Sequence, residues 1–392
     1  MKKLRTLPTS RLVAVIAAIA IVLGAGTAIA VAAGGSGPTP PEKPLAQALH
    51  DALSAGEPSG ITARISFTNN LFPSGSLVGA TGSALMSGAT GRLWLNGNGG
   101  RLELQSDAGD VQVVWSDAKV TVYDASSNTA YTVDLPAQAA GGTATHTVPT
   151  LDEISTFLGE VAQHWNVSGA QPSNVAGEEA YTVDISPSHD GGLLGSAELA
   201  WDAAHGVPLK VAIFAQGSST PALALEATDI SFGPVPDSDV TVAPPAGAKV
   251  VDLSSQATGQ GTTGSTTPPV TGLAAVQAAV SFPVVAPDTL VGLPRQEVTA
   301  VGPQDSKSAL VVYGQGLGAI VVLERAHDTG AAQSGQSSPL QALPTVSLDG
   351  VTAHELATQL GTVLGWDGGQ VSFVLAGSLP SGAAEAAARA LK

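Results

Sequence analysis

Alternation of apolar and polar residues dominates the chain. In "VVWSDAKVTVYDASSNTAYTVDLP", residues 113–136, Val113 and Trp115, then Val120 and Val122, then Tyr131, Val133 and Leu135 recur at period 2. Ser116-Asp117-Ala118 and Asp124-Ala125-Ser126-Ser127-Asn128 lie between the runs and favour tight turns, so the stretch predicts a β-meander. Strands are also predicted for "ITARISFT" (61–68), "GSALMSG" (82–88), "GRLWLNG" (91–97) and "RLELQS" (101–106). More follow in "EEAYTVDISP", "GSAELAWDAAHGVPLKVAIFAQ" and "ALALEATDISFGPV". A helical period appears in "LAQALHDALS", where Leu45, Ala48, Leu49 and Leu53 form a stripe. A second helix is predicted for "LDEISTFLGEVAQH" (151–164), with Thr150 as cap and Asp152 and Glu153 at its positive end.

Two stretches break the pattern. "GGSGPTPPEKP" (34–44) reads as a semi-rigid Gly/Pro spacer, and "SSQATGQGTTGSTTPPVTG" (254–272) as a low-complexity linker. They bound a domain at 45–253 and a smaller one at 273–392. In the latter, "GLAAVQAAVSF" predicts a helix, "SALVVYGQGLGAIVVLERA" a hairpin and "AHELATQLG" a helix. "GQVSFVLAGSL" predicts a strand and "SGAAEAAARALK" a terminal helix, while "DTGAAQSGQSSPLQALPT" (328–345) reads as a flexible insertion. The fold class is α+β with antiparallel sheets.

The N-terminus adds a targeting signal. Residues 1–11 hold Lys2, Lys3, Arg5 and Arg11 and no acid, and residues 12–33 are uncharged. At about 1.5 Å per residue the uncharged run extends roughly 33 Å, enough to cross a hydrocarbon core. It is either a transmembrane anchor, which its length favours, or a signal peptide cleaved after Ala28-Ile29-Ala30 or Val31-Ala32-Ala33. The basic flank stays in the cytoplasm, so the body is expected outside it: single-pass at the cell membrane, or secreted.

Charge and composition then narrow the function. Beyond residue 11 the chain carries a formal −20, which disfavours nucleic acid and anionic lipid surfaces as partners. With no cysteine there is no disulfide, thiolate metal site, cysteine nucleophile or lipid-modified cysteine. Plentiful glycine and proline with few aromatics suit short strands and loops.

Candidate chemistry is sparse. "YGQGLGA" (313–319) matches a dinucleotide-loop pattern, but "IVVLE" continues it as a strand where a helix is needed, so it reads as a hairpin turn. The seven histidines, His189 in a Ser/Gly turn among them, show no ligand spacing, and there is no nucleophile elbow. Glu178-Glu179 and Asp152-Glu153 diverge on a strand or helix and form no acid/base pair. Neither catalysis nor a cofactor or metal is implied. What remains is the apolar face of the first sheet: Ile61, Ile65, Phe67, Leu93, Leu95, Leu102, Leu104, Val113, Trp115, Val122, Tyr131 and Val133. Such alternation also marks an ordinary core, yet only two helical segments accompany the many strands, which favours an apolar ligand cavity.

The meander resembles that of LolA-type lipoprotein carriers and the related periplasmic sensor RseB, with Asp117-Ala118 where Asp-Gly is common. Later strands are similar too: Gly177 with Tyr181 and Pro187, Trp201-Asp202 with Gly206-Val207-Pro208-Leu209, and Pro244-Pro245 with Gly247. The resemblance covers about 45–252. It implies a curved antiparallel half-barrel over helices whose apolar cavity holds acyl chains of lipids or lipoproteins, an architecture shared by mycobacterial lipid-carrying lipoproteins. "WDGGQVSFVLAGSL" is similar to small domains that follow such modules in Gram-positive exported proteins, and the Ala/Gly/Val-rich composition suggests a high-GC Gram-positive source. The resemblance implies a membrane-tethered carrier, or an RseB-like sensor whose C-terminal domain engages a membrane protein. A non-binding envelope protein is the remaining alternative.

Overall fold

The computed structural model describes residues 37–71, 84, 88–135, 148–189, 192–254, 270–302, 307–327 and 343–391. Residues 12–33 lie outside that set, as does nearly all of 82–88, of which only Ala84, which is helical, and Gly88 are described. The same holds for most of 254–272 and 328–345. Among the described residues no helix is long and apolar enough to cross a membrane. The chain forms two compact units, and residues 189 and 192–195 group with the second.

The first unit begins with α1 (Leu45–Ser54), β1 (Gly60–Asn69), β2 (Ala89–Asn96), β3 (Gly99–Gln105), β4 (Val111–Trp115), β5 (Lys119–Asp124) and β6 (Thr129–Asp134). Then come α2 (Leu151–Val161), β7 (Trp165–Val167), β8 (Gln171–Val175), β9 (Glu178–Pro187), β10 (Leu194–Asp202), β11 (Pro208–Ala215) and β12 (Pro221–Phe232). The short α3 (Asp237–Val240) and β13 (Lys249–Asp252) complete it. One sheet runs β13-β6-β5-β4-β3-β2-β1-β12-β11-β10-β9-β7, with β8 beside β9; β13 and β6 are parallel, whereas β1–β2, β1–β12 and the meander pairs β2 to β6 are antiparallel. Adjacency of β1 and β12 joins the meander to the closing strands. A single buried cluster includes Leu102 on β3, Leu209 at the start of β11 and Ala200 on β10, so the sheet curls.

Local chemistry explains the helices. Glu153 N–H donates to Thr150 Oγ1 at 3.3 Å and Thr150 N–H donates to Glu153 Oε2 at 3.0 Å, a reciprocal cap that starts α2 at Leu151. The stripe of α1 buries Ala48, with Leu45 and Leu49 beside it, against Tyr181, Val183 and Trp201. The end of the proline spacer is fixed here as well. Tyr181 Oη donates to Pro41 O at 2.6 Å and Asn174 Nδ2 to Pro38 O at 2.9 Å, so residues 38–41 lie against β8 and β9.

The second unit contains α4 (Leu273–Ala279), β14 (Thr289–Leu290), β15 (Leu293–Val301), β16 (Ser308–Tyr313), β17 (Ile320–Ala326), β18 (Thr345–Leu348), β19 (Val351–Ala357), β20 (Thr362–Gly368), β21 (Val371–Gly377) and α5 (Ser381–Arg389). Its sheet runs β14-β15-β16-β17-β21-β20-β19-β18 over a core that holds Trp366, Phe373 and Leu375. The expected helix at "AHELATQLG" is instead mostly strand β19. Hydrogen bonding on both sides, to β18 and β20, overrides the helical preference of Ala, Glu and Leu. Asp349 (φ 47°) and Gly350 (φ 93°) close the two-residue turn that launches it, an Asp-Gly hairpin signal in plain view in the sequence.

Candidate functional site

Register fixes which side chains share the inner face of the first sheet. Leu93 pairs with Ala63 and Leu102, Leu102 with Val113, Val113 with Val122, and Val122 with Tyr131. A second row runs Ile61, Leu95, Gly100, Trp115, Val120 and Val133. Period 2 carries Ile65, Phe67 and Leu104 to that face too. A Cβ on Gly100 would sit 2.3 Å from the Trp115 ring and 2.5 Å from Leu95, so its lack of side chain lets the indole lie across the strand.

Burial along this face is graded. Ile65, Phe67, Leu102, Leu104 and Val113 are buried, Leu104 with only 1% exposed. Leu93, Leu95, Trp115, Val120 and Val122 are half-buried against the same cluster. Val133 is half-buried outside it, and Tyr131 is 38% exposed. On α2 only Ile154 is buried, while Leu151 and Phe157 (49% exposed) keep apolar surface in contact with solvent. Burial on this face therefore falls from a solid centre at Ile65, Phe67, Leu102, Leu104 and Val113 to half-buried residues on β5 and an exposed Tyr131 on β6.

The closing strands contribute residues the sequence reading left out: Leu209, Ala227 and Ile230 enter the same core. Their pattern is hidden by a β-bulge. Arg64 pairs with Asp229 but Ile65 with Ala227, so Thr228 is extra and the apolar period changes phase between Ala227 and Ile230.

The outer face is polar. Lys210 lies 2.9 Å from Glu198 and 3.8 Å from Glu226, and burial pushes the Glu226 carboxyl up. His205 lies 2.8 Å from the buried Asp202 carboxylate and stacks on Phe232, the position of a structural histidine. No group of three or more His, Asp or Glu among the described residues is placed to hold a metal ion. "YGQGLGA" is the β16–β17 hairpin turn, with Gly314 and Gly316 at positive φ and β17 directly after it.

Comparison with known proteins gives distant structural matches only. No protein-family profile and no curated protein matches the chain. The complex structure of MucA/MucB from Pseudomonas aeruginosa aligns at 15% identity, covering 88% of this chain and 96% of that one, with TM-score 0.42. An uncharacterized conserved protein from Thermus thermophilus aligns at 9% identity over 53% of this chain and 96% of that one, TM-score 0.32. A LolA superfamily protein from Nitrosomonas europaea aligns at 10% identity over 51% and 99%, TM-score 0.22.

Proposed function

We infer that the first unit binds acyl chains of lipids or lipoproteins on the inner face of its sheet. It would do so outside the cytoplasm, with residues 12–33 anchoring or exporting it. The supporting observation is the graded apolar face, buried at Leu104 and Val113, half-buried at Trp115, Val120 and Val122 and exposed at Tyr131. An acyl chain needs apolar walls and few polar groups. Burying about 15 methylenes removes roughly 12 kcal/mol of hydrophobic cost, part of it offset by ordering and association.

The half-buried residues on β5 make the reading testable without breaking the core. Val122→Asp sets a charge on a half-buried site, so uptake of a fluorescent fatty-acyl probe should weaken at least about tenfold while melting barely changes. Leu104→Asp should unfold the unit, serving as the core control. Absence of saturable uptake by the wild-type protein, or uptake indifferent to Val122→Asp in a folded variant, contradicts acyl binding. A sensor reading has the second unit, which has its own sheet and core, engage a membrane protein with acyl binding as the signal. It predicts that the intact protein captures a membrane protein and that acyl-chain binding changes this capture.

A further inference from the structure

We propose that the outer face of the first sheet carries a phosphate-binding site built on Arg64 and Arg92. These arginines are direct cross-strand partners on β1 and β2. Like charges directly opposite on neighbouring strands repel and destabilise a sheet, so the pair is not explained by fold stability. Each also faces a carboxylate on its other side, Asp229 and Glu103. Neither neutralises the pair. The contact of Arg64 Nε with Asp229 is 4.0 Å between side chains about 70% exposed, a geometry worth little in water. Glu103 is bonded to Arg101, whose guanidinium lies 4.8 Å from the Trp94 ring centre. Arg92 makes no ion pair among the described residues, leaving its fork of donors available.

The shape fits an anion. A depression of about 590 Å³ lies between the arginines, with Thr90, Gln105, Thr228 and the Arg101-bonded Glu103 on its wall. Two backbone features form it. The bulge between Arg64 and Ile65 adds Thr228 to the opposing strand, and bulges re-aim the side chains beside them. Gly91, next to Arg92 on β2, lines it as well and adds no side chain. Two guanidinium forks with the Thr90 hydroxyl and the Gln105 amide beside them match the several acceptor oxygens of a phosphate ester. The protein as a whole is formally −16, so a local cationic pocket selects its ligand against the surrounding field. Its ligand class is a small phosphate ester, free or as the headgroup of a lipid.

Equilibrium dialysis with glycerol phosphate and co-sedimentation with phosphatidylglycerol vesicles, phosphatidylcholine vesicles as control, separate the two sources. Saturable binding is expected in at least one arm, falling about tenfold or more in Arg92→Gln and Arg64→Gln and weakening with added salt. Both arginines are exposed, so the variants should melt as the wild type does; Arg92→Lys, which keeps the charge and loses the fork, should recover only part of the binding. Binding in the dialysis arm alone assigns a soluble ester, and binding in the vesicle arm alone a lipid headgroup. No binding in either arm, or binding unchanged in both glutamine variants, overturns the site.

Discussion

Glu324 shows how one side chain can make stability depend on pH. It lies on β17 with no exposed surface, its Oε2 accepts the Val285 N–H at 2.9 Å, and Oε1 has no hydrogen-bond partner among the described residues. Burial pushes its carboxyl up to about 7, with the Val285 N–H acting in the opposite sense. Tyr313 shares the core, where burial raises its hydroxyl to about 12, beyond the range in which Glu324 titrates. The folded state thus holds a proton that the unfolded chain releases near its ordinary value of 4.5. The contribution is fully present below about pH 4.5 and is lost as pH rises through about 7, amounting to roughly 3 kcal/mol. Denaturant melts of the second unit's transition at pH 5 and pH 8 should show this loss, and Glu324→Gln should flatten it. An undiminished slope in the glutamine variant would place the titration elsewhere. Glu324 is not legible as a buried acid in the sequence, because a single acid in "IVVLERA" sits where a strand end could reach water.

At the scale of elements, local signals were legible where the residues that form an element also lie next to one another. The meander 113–136 reads correctly because its turn formers and its period agree, as the register Trp115–Val120–Val133 shows. Thr150 and Glu153 likewise announce α2. Removing the cap with Thr150→Ala should cost about 1 kcal/mol. Since Ile154 is the only buried residue of α2, amide exchange over 151–158 should quicken while the strands keep their protection. Uniform exchange across the unit would instead show that α2 is held by tertiary packing. One reading failed and one set of inner-face residues was missed, each for a physical reason. "AHELATQLG" has helical composition but gains two strand partners that only the folded chain supplies. The closing strand 221–232 hides its inner face behind the bulge at Thr228, since period 2 cannot survive an extra residue.

Each of the two units of the molecule has its own sheet and its own buried core. Cutting the chain between 254 and 272 should therefore leave two cooperative melting transitions close to those of the intact protein. Loss of both transitions would reveal a shared core. The inner face of the first unit was readable as a list of apolar positions, but not as a gradient. Leu104 and Tyr131 follow the same alternation rule, and only the folded sheet separates the buried residue from the exposed one. That gradient is the basis of the acyl-binding account, and native mass spectrometry of the intact protein, purified with envelope lipid present, tests it most directly. The account predicts a folded protein carrying discrete mass increments of acyl lipid, which disappear in Val122→Asp. A well-folded wild-type protein observed only at its bare mass would contradict it.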